Sequence, residues 1–214
     1  MQQGLEYLEE ILFHTHLSDE KRLSEILLEI KSRERMRLES TGHSYAVNSA
    51  MESFSPTSFY HERVKGIRYY HFIEKLEEDF RKNPKNLGDK LNALSKKLLE
   101  GKNLCVAVGG DVEIYRKEKR SLSDFLTKHF SEKEEWEESV FAAGEGERKA
   151  WITPSQVNYV ARVGSFRDKA LPYTGALKVM KNALTFDFLW KNIREKGNAY
   201  GVMSGFGRSG ESYV

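Results

Sequence analysis

The chain has 214 residues, of which 39% are hydrophobic and 31% are charged, so it can bury a packed core and is not expected to be disordered. Its 34 basic and 32 acidic side chains nearly balance, which gives no sign of the concentrated basic face that nucleic-acid binding usually requires. Its longest apolar runs, such as Leu104–Val108, are far too short to cross a bilayer. We therefore expect neither a nucleic-acid partner nor a membrane partner.

The N-terminal region, 1–101, has the pattern of a helical domain. Apolar residues recur at helical spacing and predict one buried stripe, formed by Leu23, Ile26, Leu27 and Ile30. The predicted helix boundaries are Ser18 as an N-cap, Ser55-Pro56, Gly66 and Asn83-Pro84. The chain begins within such a pattern, without the basic and apolar stretches of a secretory signal, so we expect a fragment of a longer protein.

Small side chains recur near the middle of this region, at Gly42, Ala46, Ser49 and Ala50. Their spacing is close to helical, which places them on one side of a helix. We expect another helix to approach closely on that side.

The C-terminal region, 102–214, changes to a mixed pattern of strands and helices. The predicted elements are a buried strand at Leu104–Val108, a tight turn at Gly109-Gly110-Asp111, a helix at 112–130, a polar stretch at Glu132–Glu138, a strand through Val157–Val163, a helix at 173–195 and a hairpin at Ala199–Val214. The predicted fold class is therefore α+β, with a helical segment followed by a partial α/β-layer domain.

The sequence contains no motif for metal binding or nucleophilic catalysis. Among the six histidines, His14 and His16 would point to different faces of a helix, and none belongs to a His-Glu-x-x-His or His-x-x-Glu-His motif. Nucleotide-binding glycine loops and the Gly-x-Ser-x-Gly motif are also missing. The single cysteine, Cys105, lies in an apolar run and is interpreted as a buried core residue. We expect the chain alone to bind no metal.

The most specific pattern lies at 189–201, Leu-Trp-Lys-Asn-Ile-Arg-Glu-Lys-Gly-Asn-Ala-Tyr-Gly. A helix ending in Leu-Trp-x-x-Ile-Arg-x-Lys-Gly, followed by Ala-Tyr-Gly, resembles the C-terminal signature of presequence proteases. These enzymes are one branch of the insulinase and pitrilysin superfamily of zinc metallopeptidases. Further resemblances to the same family occur at 40–46, 152–160 and 173–179. One departure is Asn198, where the family usually has a second glycine.

The resemblance implies a domain organisation. Residues 1–101 would form the mostly helical C-terminal part of the family's third domain. Residues 102–214 would form a truncated fourth, C-terminal α+β domain of the type found in processing peptidases and insulinases. In such enzymes two related halves enclose unstructured peptides, and the N-terminal half carries the zinc ion. The implied partners are therefore unstructured peptide substrates and the N-terminal half of the same enzyme.

The resemblance also implies roles for three residues. Arg194 and Tyr200 match the pair that orients the substrate and stabilises the oxyanion, and Gly201 would bind substrate beside them. The residues alone leave another interpretation open. Arg194 could be a charge that complements the helix dipole, and Tyr200 a core aromatic.

The expected function is that of a C-terminal-half fragment of a zinc endopeptidase that degrades unstructured peptides, with the fragment inactive by itself. The alternative is a metal-free peptide-binding or interaction subunit of the same fold. The location would be the cytoplasm in a bacterium, or the mitochondrial matrix or another organelle in a eukaryote. Because the sequence stops within a predicted strand, we also expect self-association through an exposed sheet edge.

Overall fold

The computed structural model describes residues 2–101, 104–130, 148–154, 156–166 and 169–214. The helices are α1 (Gln2–Phe13), α2 (Glu20–Ser40), α3 (Gly42–Met51), α4 (Pro56–Lys65), α5 (Ile67–Lys82), α6 (Pro84–Leu98), α7 (Val112–His129) and α8 (Ala176–Asn182), which continues as a π-helix (Ala183–Glu195). The strands are β1 (Val163–Ser165), β2 (Gly205–Phe206) and β3 (Glu211–Tyr213). Helices with one small sheet confirm the predicted α+β class.

Two predicted helix starts have the expected capping chemistry. The hydroxyl of Ser55 accepts a hydrogen bond from the amide of Ser58 at 3.1 Å, with Pro56 in the first turn of α4. The carboxylate of Asp111 accepts from two amides of the first turn of α7, at 2.8 and 3.3 Å. Helix α7 therefore begins where the glycine-aspartate turn was predicted to start it. The predicted breaks at Gly66 and Asn83-Pro84 are confirmed as well.

The predicted cap at Ser18 is wrong by one residue. The carboxylate of Asp19 accepts from the amide of Arg22 at 2.9 Å and so caps α2. The hydroxyl of Ser18 accepts instead from the side-chain amide of Asn92 at 2.8 Å. Adjacent capping residues compete for the same free amides, and the one next to the first turn is Asp19.

The chain divides into two compact units. The first contains Met1–Leu28 and Leu76–Ser139, and the second contains Glu29–Lys75 and Val140–Val214. Within the first unit, the ring of Phe13 stacks on that of His129 with centroids 4.4 Å apart. The ammonium group of Lys128 lies 2.8 Å from the carboxylate of Glu9. An aromatic contact and an ion pair thus join α1 to α7.

The second unit contains the sheet, in the order β1-β3-β2 with both pairs antiparallel. Tyr213 of the central strand pairs with Val163 on one side and with Gly205 on the other. The predicted hairpin is thereby confirmed as β2 and β3. Of the predicted strand at Val157–Val163, only its last residue lies in a strand, because only there does the backbone reach β3.

The small residues of α3 accommodate an aromatic ring. A β-carbon at position 42 would fall on the ring of Tyr159, so Gly42 allows this close approach. The hydroxyl of Tyr159 donates to the carbonyl of Glu39 at 3.4 Å. The expected close neighbour at Gly42 was a helix, and the structure has Tyr159 from an irregular segment instead.

A group of buried charged residues lies within the second unit. The carboxylate of Glu52 pairs with Arg63 at 3.1 Å and with Arg68 and Lys149 at 2.6 Å each. Burial tends to raise the pKa of Glu52, but the bonds from Lys149 and Arg68 outweigh it, and the net pKa is lowered. Nearby, Glu62 is 0% exposed. Its pKa is raised, mainly by burial and further by the charge of Glu52.

The predicted buried strand at Leu104–Val108 is wrong. These residues have irregular backbone and are exposed, and so is Cys105, which was expected in the core. A single apolar run forms a strand only where a neighbour completes its hydrogen bonds, and none pairs with it among the described residues. The polar stretch predicted at Glu132–Glu138 lies outside the described residues, and so does Ser155.

Candidate functional site

The candidate site lies at the end of a long helical element. The predicted helix at 173–195 is helical from Ala176 to Glu195, and its last 13 residues form a π-helix. The helix is held by Leu189, which is buried, and by a 2.8 Å hydrogen bond between the hydroxyls of Thr185 and Ser204. Extended π-helices are rare and occur often at functional sites. This one ends in Arg194 and Glu195.

A sharp turn follows the helix. The amide of Ala199 donates to the carbonyl of Ile193 at 3.2 Å, which folds the chain back over the last turn. A β-carbon at position 197 would lie 2.5 Å from that same carbonyl, so the position requires Gly197. Asn198 has φ 56°, a left-handed conformation that asparagine tolerates better than most residues. The turn therefore accepts asparagine where the family usually has glycine.

The turn brings Tyr200 back to Arg194. The Nε atom of Arg194 donates to the main-chain carbonyl of Tyr200 at 3.1 Å. The guanidinium carbon also lies 4.0 Å from the ring centre of Trp190, one turn earlier. The two residues predicted from the signature are thus joined through one side chain and one carbonyl, and Gly201 follows directly as an exposed residue.

The side chain of Tyr200 faces solvent. The residue is 96% exposed, so the interpretation of Tyr200 as a core aromatic is wrong. Its hydroxyl has no hydrogen-bond partner within the described ranges, which leaves the phenol available to a ligand. The expectation that Tyr200 lies on a strand is also wrong, because β2 begins only at Gly205. The left-handed residue and the bond to Arg194 hold this segment in a turn.

The described residues do not provide a zinc site. In 2–101, 104–130, 148–154, 156–166 and 169–214, no three His, Cys, Asp or Glu side chains come close enough to share a metal ion. His14 and His16 follow the end of α1 at Phe13, so they do not occupy opposite faces of a helix as expected. The ligands of a zinc ion would have to come from outside these residues.

None of the described helices is both long enough and apolar enough to span a membrane.

One residue near the site was missed at the sequence level. Trp190 belongs to the signature, but no role was assigned to it. A signal was present, because a tryptophan four residues before an arginine places a ring beneath a cation on one helix face. The contact from Thr185 to Ser204 had no such signal, since 19 positions separate the two residues.

Comparisons with known proteins match both ends of the chain. A family model for the region associated with subfamily C of the M16 peptidases matches residues 1–76, and the model described as "PreP C-terminal domain" matches residues 148–214. The second match contains Arg194, Tyr200 and Gly201. The two models together thus cover the helical start of the chain and the candidate site.

Curated relatives agree with these models. Protein HypA of Clostridium perfringens is 29% identical over 211 residues, covering 99% of this chain and 21% of the relative. Presequence protease 1, chloroplastic/mitochondrial, of Arabidopsis thaliana is 22% identical, covering 92% of the chain and 18% of the relative. The mitochondrial presequence protease of Saccharomyces cerevisiae is 26% identical, covering 92% and 21%. The chain thus spans about a fifth of the length of the relatives it matches. It belongs to the presequence-protease branch of the M16 peptidases and corresponds to a part of their C-terminal region.

Proposed function

We propose that the full-length protein is a zinc-dependent endopeptidase that degrades unstructured peptides, and that this chain supplies residues that orient the substrate. The match to the PreP C-terminal domain and the names of the relatives support this proposal. The zinc ligands would come from the N-terminal half of the same enzyme, and zinc supplies the activated water in such peptidases. Residues 1–101 and 102–214 would belong to the third and fourth domains of the full-length enzyme.

The proposed roles of Arg194, Tyr200 and Gly201 follow from their chemistry. A tyrosine hydroxyl is a neutral donor suited to the negative charge that develops on a peptide carbonyl oxygen during hydrolysis. An arginine offers planar donors that can hold a backbone carbonyl in place. Gly201, without a side chain, would let the peptide backbone approach closely.

One observation carries the proposal. The Arg194 side chain is bonded to the Tyr200 carbonyl at 3.1 Å while the Tyr200 side chain stays 96% exposed. A purely structural tyrosine in this family signature would be expected to pack its ring into the core. An exposed phenol beside a fixed guanidinium instead suits a surface that faces a substrate.

The location is proposed from the relatives. The Arabidopsis protein is named chloroplastic/mitochondrial and the yeast protein mitochondrial. For a eukaryotic source we propose the mitochondrial matrix or another organelle, and for a bacterial source the cytoplasm.

The experiment is metal analysis and peptide cleavage by the purified full-length protein, with an unfolded peptide as substrate. We expect about one zinc ion per chain, cleavage that a chelator abolishes, and neither property in the 214-residue chain alone. Binding of the peptide without zinc and without cleavage would contradict the proposal and establish the alternative, a metal-free peptide-binding subunit.

A further inference from the structure

Trp190 and Arg194 form a cation–π pair on the π-helix. The guanidinium carbon lies 4.0 Å from the centre of the indole ring. Tryptophan is the strongest aromatic partner for a cation, and arginine can also stack its planar group on the ring. The pair therefore favours one orientation of the guanidinium, parallel to a ring that the helix already holds.

The ring has support of its own. Trp190 is partly buried, follows the buried Leu189, and has the ring of Phe186 at 6.5 Å one turn earlier. Leu189 and the Thr185–Ser204 bond fix the helix on which the indole is carried. The side chain beneath Arg194 is therefore attached to a fixed part of the second unit.

The hydrogen bond to Tyr200 alone does not fix Arg194. A single bond from Nε leaves the guanidinium plane free to rotate about the direction of that bond. The contact with Trp190 removes this freedom, because the plane must lie against the ring. Within the part of the chain that the structure describes, the two terminal nitrogens of Arg194 have no hydrogen-bond or ion-pair partner. They are left as oriented, unused donors.

We infer that Trp190 is a positioning residue, whose ring sets the plane in which Arg194 meets a substrate carbonyl. The inference rests on the proposed function of Arg194 and extends it to a residue that need not touch the substrate. Arg194 is oriented by the Tyr200 carbonyl at one edge and by the indole at one face. Loss of the ring would weaken the orientation of Arg194 without removing its charge.

The contact itself is tested by NMR on the 214-residue chain. The ring current of Trp190 should shift the Hε proton of Arg194 upfield, and the signal is assigned by its loss in Arg194→Lys. We expect the shift to disappear in Trp190→Leu and to be partly retained in Trp190→Phe. An Hε shift that is the same in all three tryptophan-site forms would overturn the inference.

The role is tested by kinetics of the full-length protein. We expect Trp190→Leu to lower kcat/KM about two- to five-fold, the range of an exposed cation–π pair, and Trp190→Phe to restore most of it. In the Arg194→Ala background, Trp190→Leu should have no further effect, because there is no guanidinium left to orient. The matched control is Phe188→Leu, which removes an exposed ring from the same helix and should leave kcat/KM unchanged.

The outcomes separate this inference from the proposed function. If Arg194→Ala lowers kcat/KM but Trp190→Leu does not, the positioning role is wrong and the proposed function stands. Equal losses from Trp190→Leu with and without Arg194 would indicate a purely structural effect and would also overturn the inference. If Arg194→Ala retains full activity, both are wrong.

Discussion

The carboxylate of Glu62 occupies the space beside Gly66 that a side chain at that position would need. A β-carbon at position 66 would collide with Oε2 of Glu62 and approach its carbonyl to 2.7 Å. Glu62 cannot easily move away, because its other oxygen accepts from the amide of Arg68 at 3.2 Å. The glycine that ends α4 is thus required by a buried acid rather than by its backbone conformation, since φ at Gly66 is −98°.

Gly66→Ala should therefore destabilise the 214-residue chain by about 1–3 kcal/mol, as overpacking of a buried site does. The measurement is the free energy of unfolding in urea. Gly4→Ala is the matched control, because Gly4 lies in α1 with open space around it. That change should stabilise the chain by about 0.5–1 kcal/mol. A loss of stability in both variants, or in neither, would contradict the explanation.

Glu62→Gln should change how stability depends on pH. Burial raises the pKa of Glu62 above its ordinary value of 4.5, so the folded state holds its proton more tightly than the unfolded state. This preference is fully present below pH 4.5 and is lost as the pH rises through the folded-state pKa. Glutamine stays neutral at every pH, so the stability of the variant relative to wild type should increase from pH 4 to pH 7.

The comparison is made by urea unfolding of both proteins at each pH. Taking the difference between variant and wild type cancels the titration of groups such as Glu9, whose pKa is lowered chiefly by its hydrogen bond with Lys128. A difference that stays constant across this range would show that Glu62 titrates normally.

The sheet predicts self-association of the 214-residue chain. β3 is the central strand, so the free edges within the described residues belong to β1 and β2, and not to the last strand as the sequence suggested. Short free edges can pair with another chain. We expect the apparent mass in light scattering to rise with protein concentration. A constant monomer mass up to high concentration would argue against an exposed pairing edge.

The elements predicted well from the sequence are those with local chemical signals. Ser55-Pro56 and Asp111 mark helix starts because their side chains cap the amides next to them. The hairpin near the C-terminus was predicted from glycines between two short strands, and Gly210 indeed has φ 99°. In these cases the structure depends on a few neighbouring residues.

The elements predicted poorly depend on distant partners. The apolar run at Leu104–Val108 looks like a strand, but pairing is decided by a neighbour that the run itself does not contain. The position of Tyr200 depends on the left-handed Asn198 and on a side chain six residues earlier. The signature correctly brought Arg194 and Tyr200 together as candidates, while the means of holding them, Trp190 and the carbonyl bond, required the structure.

The most direct test of the proposed site is the kinetics of Tyr200→Phe in the full-length protein with an unfolded peptide. Arg194→Ala should raise KM and lower kcat, because it would hold the substrate as well as the transition state. Tyr60→Phe is the matched control, since it removes the hydroxyl of another exposed tyrosine. If the phenol stabilises the oxyanion, Tyr200→Phe should lower kcat about 10²-fold with little change in KM, in zinc content or in stability. Full activity of Tyr200→Phe would contradict the assignment.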